Sequence, residues 1–178
     1  MKSAPLGLLL RAANEADLAA ITEIYRYHVA HGTASFEIEL PDMEEMTRRW
    51  RETVRRGFPY IVAEIDGKVL GYAYGGQYRP RVGYRYTVED SVYIHHEHVG
   101  RGLGGALLAE FIRQCESAGF RQMVAAIGDS TNIASIRLHE EFGFRKVGTL
   151  SAVCWKFNRW IDSVLMQKEL AEGDRSTP

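Results

Sequence analysis

Two spacings of apolar residues alternate along this chain, one of three to four residues and one of two, and they divide it into helices and strands. Leu18, Ile21, Ile24, Tyr25 and Val29 share one helical face, with Asn14 placed to cap the helix, Asp17 in its first turn and an end near Gly32. Met46, Trp50 and Val54 form a second such face behind Asp42 and Glu45, which are spaced as a capping box. Runs rich in β-formers predict strands at 8–11, 60–65, 68–74, 86–94, 123–127, 145–150 and 161–168, with Asp66-Gly67 as a hairpin turn. Residues 75–85 break the strand pattern. A helix carrying Leu107, Leu108, Phe111 and Ile112 ends at Ala118-Gly119, and a last helix covers 132–142, stopped by Gly143. The resulting order, β-α-α-β-β-β-α-β-α-β-β, implies an α/β fold: a mixed sheet with helices on its faces.

Composition narrows the picture. The chain has 178 residues, 46% hydrophobic and 25% charged, which fits one globular domain, expected over 8–170 with 1–7 and 171–178 as loose ends. The apolar run at residues 6–10 is short for a secretion signal, and no stretch approaches the ~20 apolar residues of a membrane span. A net charge of −1 leaves no broad basic footprint, so nucleic acid and membrane surfaces are not expected partners. Cys115 and Cys154 lie far apart without metal-ligand spacing, so neither a disulfide framework nor a metal site is implied, and a reducing cytoplasm fits best.

The chemistry concentrates where the 86–94 strand runs into Gly100-Arg101-Gly102-Leu103-Gly104-Gly105 and then a helix. A helix start offers unpaired N–H groups and about half a positive charge, and glycines let a phosphate approach the backbone closely. A diphosphate-bearing cofactor is the natural guest. Gly100, Gly102 and Gly105 also satisfy the G-x-G-x-x-G spacing of a dinucleotide site, with Asp129 after a later apolar run. Residues 95–99 separate the strand from the first glycine, however, and the motif lies past the middle of the chain, which argues against a dinucleotide domain.

Val99-Gly100-Arg101-Gly102-Leu103-Gly104 resembles the acyl-CoA pyrophosphate loop of the GNAT superfamily of N-acetyltransferases, whose pattern is Gln/Arg-x-x-Gly-x-Gly/Ala; Val99 departs from it. The resemblance implies the GNAT fold, with a mostly antiparallel sheet splayed at the acyl-CoA cleft, and acetyl-CoA as co-substrate. It places the pyrophosphate on residues 100–105 and the pantetheine arm against backbone groups of Val92, Tyr93 and Ile94. Transfer of an acetyl group to an amine needs a neutral amine, hence a base. Glu89 shares a strand face with Ser91 and Tyr93 by period-2 alternation, and an acidic residue beside such a cleft has a cost that calls for a purpose.

Thr87-Val88-Glu89, Ser91-Val92-Tyr93, Asn132 and Ser135-Ile136-Arg137-Leu138-His139-Glu140 narrow the resemblance to the phosphinothricin and methionine sulfoximine acetyltransferase group, over residues 9–170. That likeness implies Glu89 and His139 as the catalytic pair, brings Asn132 and Ser135 to the CoA arm, and assigns Phe36, Arg81 and Tyr84 to the acceptor pocket. From the residues alone, Asn132 and Ser135 are equally helix caps, His139 a helix-surface histidine and Phe36 a core plug. Arg79, Arg81, Tyr84 and Arg85 cluster in the loop before Glu89, where a guanidinium is suited to a substrate carboxylate. The expectation is a small amino-acid-like acceptor and, as family members are often dimers, a homodimer. A protein N-terminus or polyamine as acceptor, a nicotinamide-dependent oxidoreductase and a non-catalytic CoA-binding module remain alternatives.

Overall fold

A computed structural model describes residues 4–178, so residues 1–3 of the expected N-terminal end lie outside it. Strands β1 (Leu9–Ala12), β2 (Tyr60–Ile65), β3 (Lys68–Gln77), β4 (Thr87–Ile94), β5 (Gln122–Gly128), β6 (Arg145–Lys156) and β7 (Arg159–Glu169) form one sheet; the helices are α1 (Leu18–His31), α2 (Met43–Arg55), α3 (Leu103–Ser117) and α4 (Ile133–Glu141). The sheet order is β1-β2-β3-β4-β5-β7-β6, and the expected α/β architecture with a mixed sheet is present. Among the described residues no helix is long and apolar enough to cross a membrane.

Every strand pair is antiparallel except β4 with β5. A parallel neighbour requires a long crossover, and α3 supplies it. The parallel pairing runs only from Thr87↔Gln122 to Asp90↔Ala125, so the later residues of both strands part from one another.

Two cores hold the sheet. Leu103, Leu107, Leu108, Phe111 and Cys115 of α3 pack on one face against Ile61, Ala73, Val88, Met123 and Val164. On the other face Leu18, Ile21, Ile24 and Tyr25 of α1 and Met46 of α2 meet Tyr60, Val62, Tyr72 and Tyr93. β4 serves both because its side chains alternate: Val88 enters the first core and Tyr93 the second.

The caps follow the sequence with one exchange. Asn14 accepts from Ala16 while Asp17 accepts from the Asn14 amide, a reciprocal capping box on a short 3-10 turn that leads into α1. Asp42 caps α2 by accepting from the Glu45 amide, but the Glu45 carboxylate turns instead to Arg48 and Arg49. Met46 of the expected α2 face is buried, whereas Val54 is exposed.

Other departures lie in the strands. The pattern break expected at residue 75 is absent, because Gly75 and Gly76 continue β3 opposite Asp90 and Glu89. The small size of Gly75 reflects close packing: a Cβ there would sit 2.9 Å from Val88 Cγ2 and 3.3 Å from the Phe111 ring. β6 does not end at residue 150, because a bulge with Ala152 at φ 53° carries it to Lys156, and Phe157 and Asn158 turn it into β7 with φ of 52° and 56°.

Gly75→Ala should therefore destabilise the fold. Overpacking against a stiff β-branched neighbour costs about 1–3 kcal/mol, and thermal melts of variant and parent measure it. An unchanged melting temperature would show that the contact between the two strands relaxes freely.

Candidate active site

Where β4 and β5 part, a cleft of about 580 Å³ opens. Ser91, Val92, Tyr93 and Ile94 line it from one strand and Ala125 to Gly128 from the other, while Gly100, Gly102, Gly104 and Gly105 of the glycine turn stand at its rim. Gly102 occupies the cap position of α3 in the left-handed region, φ 86°, a conformation that favours glycine. Its carbonyl already accepts from the Ala106 amide, and it has no side chain to cap the helix, so the amides of residues 103–105 have no intrahelical acceptor. The helix thus begins at Leu103, inside the glycine turn. Leu103 buries its side chain in the core, and Arg101 is exposed outside the cleft lining.

From the far side, α4 completes the wall. Asn132 caps it, accepting from the Ser135 amide at 3.2 Å, and both residues line the cleft, so capping and cleft positions coincide. At the other strand the Ile94 carbonyl meets His28 Nε2 at 2.7 Å; a carbonyl only accepts, so Nε2 carries the proton. These groups form a polar-edged slot ending at a helix N-terminus, which suits a long cofactor with a diphosphate.

The alternation of β4 sends its two adjacent carboxylates to opposite faces. Asp90 turns to the α3 and α4 side, where its Oδ2 lies 3.0 Å from His139 Nε2 and both side chains are buried. His139 Nδ1 lies 2.7 Å from the Ser135 carbonyl, which fixes a proton on Nδ1. Burial by itself would lower the His139 pKa, but the hydrogen bond and charge of Asp90, with the Ser135 carbonyl, outweigh it and hold the pKa above the ordinary value. Both ring nitrogens are therefore engaged. Asp90 escaped the sequence reading, although its place between Val88 and Val92 on an inward face signalled a buried carboxylate in need of a partner.

Glu89 faces the α1 and α2 side. Burial first, then the neighbouring Asp90 charge, raise its pKa, and Arg79 pulls the other way. No donor among the described residues occupies its carboxylate. Glu89 does not line the cleft itself, but Ser91 and Tyr93 of its own face do. Phe36 stands near the same gap: its Cε1 is 3.2 Å from where a Cβ on Gly128 would be. Arg81 and Tyr84 flank the turn before β4; both are exposed, with Tyr84 edge-on to Tyr78 at 5.5 Å. They are not brought to the cleft wall.

A further cluster went unread in the sequence. His95, Glu97 and His98 place potential ligand atoms within 4.8 Å of one another just before the glycine turn. Burial first, then the Arg101 charge with smaller contributions from His95 and Lys68, lower the His98 pKa, while Glu97 acts the other way.

Residues 10–165 match the acetyltransferase (GNAT) domain family. The chain belongs to the GNAT acetyltransferase family. It is an enzyme, an N-acetyltransferase, and its fold is the GNAT fold. It is 51% identical over 169 residues to the phosphinothricin N-acetyltransferase of Alcaligenes faecalis, covering 95% of this chain and 86% of that protein. It is 42% identical over 165 residues to the L-methionine sulfoximine/L-methionine sulfone acetyltransferase of Salmonella typhimurium, covering 93% and 96%. The crystal structure of a GNAT superfamily phosphinothricin acetyltransferase from Sinorhizobium meliloti in complex with AcCoA superposes with a TM-score of 0.94 at 42% identity, covering 97% of this chain and 94% of that one. The dinucleotide reading falls with this: the sheet is that of an acetyltransferase, and the Asp129 carboxylate is paired with Arg159.

The raised His139 pKa gives a signed prediction. Its contribution to stability is complete below the unfolded-state value of about 6.5 and is lost as pH rises through the folded value. The melting-temperature gap between wild type and His139→Gln should thus be largest near pH 6 and narrow toward about pH 9. A gap that widens with pH would contradict an imidazolium held by Asp90.

Proposed function

We propose that this N-acetyltransferase moves the acetyl group of acetyl-CoA to the α-amine of a small amino acid of the phosphinothricin, methionine sulfoximine or methionine sulfone type. The observation that carries the reading is the parting of β4 from β5 after Asp90, with the glycine turn on one side of the sheet and the Glu89 carboxylate on the other. Acetyl-CoA lies in the cleft, its diphosphate on the amides of residues 100–105 and its pantetheine arm along Val92, Tyr93 and Ile94, with Asn132 and Ser135 opposite. The acceptor approaches from the α1 and α2 side. Phe36 covers its side chain, and Arg81 with Tyr84 holds its carboxylate. Arg81 is suited to this because its guanidinium has no partner among the described residues. The identity to the Alcaligenes and Salmonella enzymes supports the acceptor class.

In the reaction, Glu89 takes a proton from the ammonium, directly or through water. The freed amine attacks the thioester carbonyl, the C–S bond of the tetrahedral intermediate breaks, and the CoA thiolate leaves and is protonated. A raised carboxylate pKa brings Glu89 closer to that of the amine, which favours transfer. His139 holds the Asp90 end of β4 and the first turn of α4 in place. The catalytic unit is a single domain over residues 8–170, working in the cytoplasm, where Cys115 and Cys154 stay as the free thiols they are here. It works as a homodimer, supported by the exposed Leu150, Val153, Trp155, Phe157 and Trp160 of the β6–β7 hairpin.

Glu89→Gln should lower kcat about 10²–10⁴-fold with little change in the KM for acetyl-CoA, and the deficit should shrink at high pH, where the amine is already neutral. Wild-type kcat near neutral pH would remove Glu89 from the chemistry. Arg81→Ala should cost about 10- to 150-fold in kcat/KM with amino-acid acceptors and spare amines without a carboxylate. Equal losses on both would assign Arg81 to folding, and wild-type acetylation of polyamines or peptides but no amino acid would replace the proposed acceptor.

A further inference from the structure

Lys156 is a buried cation that the reaction does not use. It sits at the end of β6, 4% exposed, beside the turn of the β6–β7 hairpin. Its Nζ donates to the carbonyls of Gly32 at 2.9 Å and Ser35 at 2.8 Å, and no carboxylate forms an ion pair with it among the described residues. Burial lowers its pKa, with Cys154 and then Glu37 acting the other way. Burying an ammonium without an anionic partner is costly, and a neutral donor would satisfy one carbonyl at less cost. A tetrahedral ammonium, however, donates to two carbonyls at once and pins both.

The two carbonyls bracket a segment with no regular structure that sits against the proposed acceptor side. Thr33 Oγ1 donates to the Gly128 carbonyl at 3.3 Å, and the Tyr93 hydroxyl donates to the Ala34 carbonyl at 3.4 Å. Ala34, Tyr93 and Gly128 all line the cleft. Gly128 has no room for a side chain, since a Cβ there would lie 1.8 Å from the Thr33 carbonyl oxygen. The segment is thus pressed onto the end of β5, and Phe36 follows its second Lys156 contact directly.

We infer that Lys156 is a positioning residue of the acceptor site: its ammonium ties the 32–35 backbone to the β6–β7 hairpin and so sets where Ala34 and Phe36 stand over the gap between β4 and β5. This rests on the acceptor side proposed above. The same hairpin carries Trp155, Phe157 and Trp160 outward, so its inward residue links the acceptor segment to an exposed aromatic face.

The test compares wild type, Lys156→Met and Lys156→Arg. With L-methionine sulfoximine as acceptor, Lys156→Met should raise the acceptor KM about tenfold or more, because misplacing a binding group by a fraction of its contact distance is enough for such a loss. The KM for acetyl-CoA should change less than about twofold, because the glycine turn is untouched. Lys156→Arg, which keeps charge and donors, should recover most of the acceptor affinity. Hydrogen exchange at the amides of 33–37 should quicken in Lys156→Met while that of α3 stays the same. Equal changes in both KM values, or unchanged acceptor KM with unchanged exchange, would overturn the inference. If Lys156→Met does not fold, Lys156→Gln serves in its place with the same direction expected. Should wild type acetylate no amino acid, the acceptor reading fails by itself, and the exchange comparison still decides whether Lys156 holds the segment.

Discussion

The active site depends on a pairing that stops. β4 and β5 are hydrogen-bonded neighbours only as far as Asp90 and Ala125, and beyond that point each strand has an unpaired edge inside the protein. Buried backbone polar groups without partners are costly, so such a gap persists only where the surroundings hold it open or a ligand fills it. Here antiparallel neighbours hold it: β3 pairs with β4 through to Ile94, and β7 pairs with β5 through to Gly128. Each strand is anchored on its outer side and has no strand partner on its inner side, where His28 and Thr33 meet the Ile94 and Gly128 carbonyls instead. The cleft is thus a property of the sheet, and the helices around it furnish chemistry to an opening the strands already make.

In the proposed reaction the same strand geometry separates the two substrates. Period-2 alternation turns Glu89 toward α1 and α2 and Asp90 toward α3 and α4, so one carboxylate has no donor on it among the described residues while its neighbour is taken by His139. The difference in environment follows. Asp90 is buried beside an imidazole that is itself fixed by the Ser135 carbonyl. Glu89 is partly exposed, with a pKa raised by burial and by Asp90. In the proposed reaction a cofactor on one face and an amine on the other then meet only where the strands part.

Much of this was legible in the chain because it is local. The glycine turn, the caps at Asn14, Asp42 and Asn132, and the Asp66-Gly67 hairpin are each set by a few consecutive residues. What was not legible depends on contacts between distant residues. Gly75 and Gly76 look like a break but belong to β3, and at Gly75 the space a side chain would need is filled by Val88 and Phe111. β6 was read as short because the bulge at Ala152 shifts its alternation, and with that the inward direction of Lys156 was hidden. His139 looks on its helix like a surface histidine, and only Asp90, far away in sequence, makes it a buried one. Phe36, Arg81 and Tyr84 came from resemblance; the structure sets Phe36 by Gly128 and leaves the other two on an exposed turn.

Acetyl-CoA in the gap between β4 and β5, with its diphosphate on the start of α3, is the placement on which the proposed reaction rests. Hydrogen exchange followed by mass spectrometry, with and without acetyl-CoA, reads it directly. Slower exchange is expected at the amides of residues 92–94 and 100–105 on adding acetyl-CoA, with β1 and β2 unchanged. Saturable binding of acetyl-CoA that leaves exchange in both of those segments unaltered would contradict it.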